Sequence, residues 1–361
     1  MPPTVVRDIA IQPLDLRLRT PFGIAGGVQE VARNVLVTVT LADGTRGYGE
    51  AAPLPAYNGE TQAAALEALA GVSAVALGAD ASDWRELAGR FRTLAGHASG
   101  SAQCAFEVAL LDAWTRSVGV PLWRFFGGAS SRLETDMTVT TGTVEQASCD
   151  VQAIRARGIR VIKVKVGAAA GVEHDLARLT AIHEVAPDAP LIVDGNAGLT
   201  RDAAARLALG LRRRGIVPAL LEQWLPKDDL PGLRELHEES GWPVAADESV
   251  VTPVDALRVA HAGAAQVINI KLMKAGVAAA LDIAAVARST GLGLMIGGNV
   301  ESILAMTASA CFAAGLGGFR HADLDTPWFL AENPFVGGFT AEGGQLSVAH
   351  ITAGHGVSPR M

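Results

Sequence analysis

From about residue 134 to 320 the chain alternates short apolar runs with amphipathic segments of helix length. The runs fall at 137–140, 161–166, 191–194, 219–222, 244–247, 267–271, 292–296 and 318–321, bounded by Gly, Asn or Pro. Continuous apolar runs this short read as strands buried on both faces. Between them, 172–185, 201–214, 253–262, 277–290 and 302–314 read as amphipathic helices. Eight strands with intervening helices predict an α/β fold of the (β/α) barrel type. An open doubly wound sheet would need a Gly-rich phosphate turn after its first strand. Gly142-Thr-Val-Glu145 is not one, and the Gly clusters at 195–198 and 315–318 miss the G-x-G-x-x-G spacing.

Residues 1–128 have a different texture. Val35-Leu-Val-Thr-Val-Thr-Leu41 alternates as a half-buried strand, and Ala42-Asp-Gly-Thr45 reads as a hairpin turn. Helical patterns cover 61–77 and 102–118. This predicts an α+β module over 1–128, a barrel over 129–324, and a Gly- and Pro-rich segment, 325–361, that returns to the first module.

Composition narrows the class. Of 361 residues, 49% are hydrophobic and 19% charged, which excludes a disordered chain. The net charge of −7, with no run of Lys or Arg that stands out, argues against nucleic acid. Three scattered cysteines, Cys104, Cys149 and Cys311, fit a reducing cytosol, and the first twenty residues lack signal-peptide order. The uncharged stretch 302–319 is dominated by Ala, Gly, Ser and Thr, so a buried helix is expected there and no membrane span. A cytoplasmic location is expected, and self-association into a homo-oligomer is left open.

Charge position is more informative than charge sum. Five consecutive apolar runs, the second to the sixth, contain or end in an ionisable group: Lys163 and Lys165, then Asp194, Glu222, Asp247 and Lys271. From Lys165 onward the separations are 29, 28, 25 and 24 residues, each about one barrel repeat. In such a barrel the C-terminal strand ends line the active-site mouth. A single Asp there often caps the next helix, and a single Lys snorkels to water. Three adjacent buried carboxylates, however, are costly without a cation. Oxygen donors with no His or Cys nearby favour Mg2+ over zinc. Lys163 and Lys165, two apart, point to one side of their strand. Two close ammonium groups and a metal are expected to lower a lysine toward base strength. Lys271 stands across the metal. One lysine removing an α-proton and the other returning a proton to the far face would invert a stereocentre, with the metal stabilising an enediolate.

The segments Lys163-Val-Lys165-Val-Gly167, Asp194-Gly-Asn196, Glu222-Gln223, Ala246-Asp-Glu-Ser249 and Asn269-Ile-Lys-Leu-Met-Lys274 resemble the enolase superfamily, muconate-lactonizing-enzyme subgroup. The resemblance spans nearly the whole chain. It implies a (β/α)7β modified TIM barrel under a capping domain, with Mg2+ on Asp194, Glu222 and Asp247, and Lys165 and Lys271 as catalytic bases. Within the subgroup, Asp323-Leu-Asp325-Thr-Pro327 and Leu133-Glu-Thr-Asp-Met-Thr-Val139 resemble the dipeptide epimerases. That implies a substrate ammonium held by Asp323 and Asp325, with Lys163, Thr138 and Gly298 also binding substrate. A pair of carboxylates at i and i+2 can clamp such a cation; muconate and succinylbenzoate carry none.

Enzymes acting on Ala-Glu place a basic residue in the loop after Pro21-Phe22, where this chain has Phe22-Gly-Ile-Ala-Gly-Gly27. Arg19 and Arg33 are the substitutes the sequence offers. Phe22, Ile24, Pro53, Leu54, Tyr57 and Ile296 supply a mostly apolar pocket, so dipeptides with a hydrophobic C-terminal residue are expected. Asn299 stands where relatives more often have Met. The alternatives are an L-Ala-D/L-Glu epimerase, a muconate cycloisomerase or o-succinylbenzoate synthase, and a silent metal- and peptide-binding barrel. Retention of both Lys165 and Lys271 argues against the last.

Overall fold

The computed structural model describes residues 3–24, 27–96 and 99–360. The N-terminal module is a three-stranded antiparallel sheet, Val6–Ile24, Gly27–Leu41 and Arg46–Ala51, in sequence order. The first strand was not evident in the pattern, because it is an edge strand with exposed charges between its apolar residues. Its edge position also tolerates Pro13, which lacks a ladder donor. The turn at Asp43-Gly44 forms as expected: Thr45 N–H donates to Asp43 Oδ1 at 2.7 Å. The predicted helix over 61–77 is two, Gln62–Ala70 and Val72–Ala76, parted at Gly71. The long helix Gly100–Ser117 lies against the sheet so closely that a Cβ on Gly49 would collide with the Ala105 carbonyl.

The barrel strands are Met137–Val139, Ile162–Lys165, Leu191–Asp194, Leu220–Glu222, Val244–Ala246, Val267–Ile270, Gly293–Ile296 and Phe319–Ala322. They are parallel and paired in chain order, as the apolar runs predict. Between the eighth and first strands the described residues form no ladder, but Asp136 N–H donates to the Ala322 carbonyl at 2.9 Å. Helices follow the first seven strands and only the short 3-10 turn Thr326–Trp328 follows the eighth, giving (β/α)7β. Val172–Val185 and Pro253–Ala262 match their predicted bounds. Val144–Ala156 and Leu230–Ser240 complete the ring.

The helix after the sixth strand is interrupted at Gly276, whose φ is 84°. The N-terminal module grips this break. Glu107 Oε2 accepts from Ala278 N–H at 2.8 Å, stabilising the new helix start, and Arg92 donates to the Ala275 carbonyl at 2.9 Å. A Cβ on Gly100 would collide with the Lys274 carbonyl. The C-terminal segment touches the N-terminal module through Ala331 N–H to Arg17 O and through Arg116 to Val357 O. It also touches the barrel: Phe339 N–H donates to Thr307 Oγ1, and Gln345–Ser347 pairs with Arg132–Glu134. No described helix is long and apolar enough to cross a membrane.

Candidate active site

Cross-strand register places Lys165 beside Asp194 and Asp194 beside Glu222, so three ionisable groups share one rung at the C-terminal rim. Asp247 follows the fifth strand directly, and Lys271 the sixth. The loops after these strands hold the only described non-glycine residues with left-handed backbone: Asn196 (φ 41°), Ala197 (57°) and Gln223 (37°). Such conformations persist only where surrounding contacts over-determine them. Here Asn196 N–H donates to Asp194 Oδ1 at 2.9 Å and Ala197 N–H to the Gln223 carbonyl at 2.7 Å. The Gln223 side chain in turn accepts from Asp247 N–H at 2.9 Å, fixing the fifth loop.

A small cavity of about 20 Å3 lies between rim and cap, lined by Phe22, Leu54, Tyr57, Lys165, Asn196, Lys271, Gly298, Asn299, Asp323, Asp325 and Thr326. The second and sixth strands are four apart in a ring of eight, so Lys165 and Lys271 reach it from opposite sides. A Cβ on Gly298 would meet the Met306 methyl and Glu301 Oε1, so a side chain there would force these groups to shift. Asn299 donates from Nδ2 to the Ala52 carbonyl at 2.9 Å, tying the seventh loop to the cap.

The ionisable groups are heavily coupled. Lys163 Nζ is buried 3.0 Å from Asp194, 2.9 Å from Glu222 and 2.6 Å from Asp323. Lys165 Nζ donates to Asp194 Oδ2 at 2.7 Å, and Lys271 Nζ is 2.7 Å from Asp247 Oδ2. Lys274 Nζ donates to Asp247 Oδ1 at 3.1 Å and to the Asn269 carbonyl at 2.6 Å. Burial pushes against the charge on Asp194, but Lys163 and Lys165 outweigh it and hold that carboxyl low. Burial, then the charge on Asp194, raises Glu222 to about 7. Burial, then the charge on Asp247, raises Glu248 to about 8.

Glu222 Oε2 and Asp247 Oδ2 are buried, and each meets a lysine ammonium, Lys163 at 2.9 Å and Lys271 at 2.7 Å, without a well-directed hydrogen bond. With Asp194 they form an all-oxygen donor set, and the site's carboxylates outnumber its ammonium groups. The residues therefore fit a hard divalent cation. The tightest described acid cluster is a different one, Asp136, Asp323 and Asp325, all buried. The predicted ligands are spread because Lys163 bridges Asp194 and Glu222 while Asp247 turns to Lys271 and Lys274.

Four expectations differ from the observed geometry. Lys163 and Lys271 are not tuned downward here: burial opposes their charge, but Asp194 and Asp323 hold Lys163 well above the ordinary lysine range, and Asp247 raises Lys271. Lys163 and Thr138 do not line the cavity. Lys163 is enclosed by carboxylates, and Thr138 sits behind Asp325, its backbone N–H donating to Asp325 Oδ2 at 2.7 Å. Pro53 and Ile296 do not line it either; Ile296 is fully buried and Pro53 borders an outer groove. Arg19 donates to the Leu330 carbonyl and Arg33 borders the outer groove, so neither reaches the cavity. The Ile24 side chain, Ala25 and Gly26 lie outside the described residues.

Asp136 and Lys274 are the groups whose site contacts the sequence did not reveal; Tyr57, expected in the pocket lining and found there, also meets Lys271 and Asp247. Asp136 precedes its strand, which normally marks the far end of a barrel. Stagger at the closure brings it beside the exit of the eighth strand, where neither of its oxygens finds a partner.

Residues 7–127 match the mandelate racemase / muconate lactonizing enzyme N-terminal domain, and residues 146–361 the enolase C-terminal domain-like family. The chain is 52% identical over 356 residues to an aromatic dipeptide epimerase of Herpetosiphon aurantiacus, covering 99% of both chains. It is 36% identical over 364 residues to a hydrophobic dipeptide epimerase of Citrifermentans bemidjiense, covering 98% of both. A crystal structure of the dipeptide epimerase from Enterococcus faecalis V583 with Mg and L-Leu-L-Tyr superposes with a TM-score of 0.92 at 29% identity, covering 98% of this chain and 99% of that one. With both modules matched along their length, the chain belongs to the mandelate racemase / muconate lactonizing enzymes of the enolase superfamily.

Proposed function

We propose that the protein is a Mg2+-dependent dipeptide epimerase that inverts the α-carbon of the C-terminal residue, acting on dipeptides with hydrophobic C-terminal side chains. The observation that carries the reading is the placement of Lys165 and Lys271 on opposite sides of one cavity. Lys Nζ on one side takes the α-proton, and the ammonium on the other delivers a proton to the opposite face. Asp323 and Asp325 hold the substrate's ammonium group; Asp325 Oδ1 is buried with no partner, ready to accept from it. Mg2+ held by Asp194, Glu222 and Asp247 would neutralise the substrate carboxylate and the negative charge that develops as the proton leaves.

Hydrophobic specificity rests on the lining. Phe22, Leu54 and Tyr57 face the cavity, its only described cations are the two lysines, and no arginine is there to pair an acidic side chain. The named preferences of the Herpetosiphon and Citrifermentans relatives, aromatic and hydrophobic dipeptides, agree with this reading. The three cysteines are unpaired, which supports a cytoplasmic location.

The experiment is incubation of a dipeptide library in D2O with Mg2+, read by mass shift. Deuterium should appear at the α-carbon of hydrophobic C-terminal residues, and epimerisation should be lost in Lys165→Ala and Lys271→Ala, each of which keeps exchange of one epimer only. No exchange across the library would refute the reading.

A further inference from the structure

The short helix Pro55–Asn58 hangs from the cap over the barrel rim and brings Tyr57 to Lys271. The Lys271 Nζ lies 4.4 Å from the centroid of the Tyr57 ring, and the Tyr57 hydroxyl donates to Asp247 Oδ1 at 3.2 Å. The segment is anchored from behind. Glu60 N–H donates to Asn58 Oδ1 at 3.0 Å, and Glu60 Oε1 accepts from Ser101 Oγ at 2.7 Å and from Ser99 Oγ at 2.5 Å. Glu60 is buried and takes no part in the chemistry described above; it locks the loop to the start of helix Gly100–Ser117.

We propose that Tyr57 is a positioning residue for Lys271, a cap side chain that aims one of the two barrel bases. The inference rests on the reading of Lys271 as a base. A lysine has a long flexible stem, so its reach depends on what surrounds its head. Two groups flank this ammonium, Asp247 and the Tyr57 ring. Asp247 is also a proposed metal ligand, so its charge is shared. The ring is not shared: its face attracts the cation, and its bulk closes one side, leaving Nζ directed at the cavity. Lys165, on the opposite wall, has no such partner among the described residues; its ammonium is held by Asp194. Positioning by Tyr57 is therefore one-sided.

One-sidedness makes the proposal testable in the folded full-length protein. α-Proton exchange in D2O is followed separately from the two epimers of a dipeptide with C-terminal Phe. Lys165→Ala and Lys271→Ala assign each lysine to the epimer it deprotonates. In Tyr57→Leu the ratio of the two initial exchange rates should shift by about tenfold against the Lys271 epimer, a cation–π contact's worth. Tyr57→Phe, which keeps the ring, should return the ratio to within about threefold of the unmodified enzyme. Tyr57→Met gives the same readout if Tyr57→Leu does not fold. An unchanged ratio, or equal slowing of both epimers, overturns the proposal. Absence of exchange in the unmodified protein would instead remove the epimerase reading on which it stands.

Discussion

Lys163 Nζ lies 2.6 Å from Asp323 Oδ2, joining the second barrel strand to the loop beyond the eighth. The same ammonium contacts Asp194 and Glu222, so one buried charge holds apart carboxylates proposed for metal from carboxylates proposed for substrate.

Removing that charge should destabilise the barrel. Lys163→Met leaves three buried carboxylates without their shared counter-ion, and breaking a buried pair from one side costs about 3–5 kcal/mol. Urea unfolding should show a loss of this order, partly restored by millimolar Mg2+. Unchanged stability would mean that the carboxylates are neutral in the folded protein.

Asp323→Asn and Asp325→Asn should each lower kcat/KM on free dipeptides by about 10- to 100-fold, the value of a charge-assisted hydrogen bond. The unmodified enzyme should lose a similar factor on N-acetylated dipeptides, and the variants should lose little more. Equal turnover of free and acetylated substrates by the unmodified enzyme would contradict the clamp.

Glu301 gives a pH signature away from the metal set. Burial lifts its carboxyl from 4.5 to about 8, and Oε2 finds no partner. The folded state keeps a proton that the unfolded chain has released, so the contribution of Glu301 to stability is fully present below about 4.5 and is lost as pH rises toward 8. The limiting slope is about 1.4 kcal/mol per pH unit. Denaturation curves at constant ionic strength should flatten between these limits in Glu301→Gln; an identical pH slope in the variant would disprove the assignment.

Gly49→Ala tests the seat of the cap helix. The added methyl meets the Ala105 carbonyl, and relieving such overpacking costs about 1–3 kcal/mol. Thermal melting should report the loss; a variant as stable as the parent would show that the helix can lift freely from the sheet.

The barrel was legible because its strands are short, apolar and bounded by turn residues, and because Lys165, Asp194 and Glu222 recur at one repeat and land in one rung. Much less legible was anything set by stagger or by a crossing between modules. Asp136 reaches the site through the offset at barrel closure, and Tyr57 through a loop 214 residues from the lysine it covers. The left-handed backbone at Asn196, Ala197 and Gln223 carries no glycine to announce it. The lysine charge states also escaped pattern reading, since they depend on which carboxylate each head meets. In the first strand, Pro13 and exposed charges masked an alternation that only the partner strand makes clear.

The break at Gly276 has an evolutionary consequence. The turn between Lys271 and Gly276 is clasped by Glu107, Arg92 and the start of helix Gly100–Ser117, all from the cap. The proposed catalytic base and the module that supplies Phe22, Leu54 and Tyr57 to the cavity thus share one mechanical mount. Grafting a foreign cap onto this barrel to recruit new substrates would disturb the chemistry along with the specificity. Diversification is easier by exchanging residues within the cap's loops than by exchanging the cap.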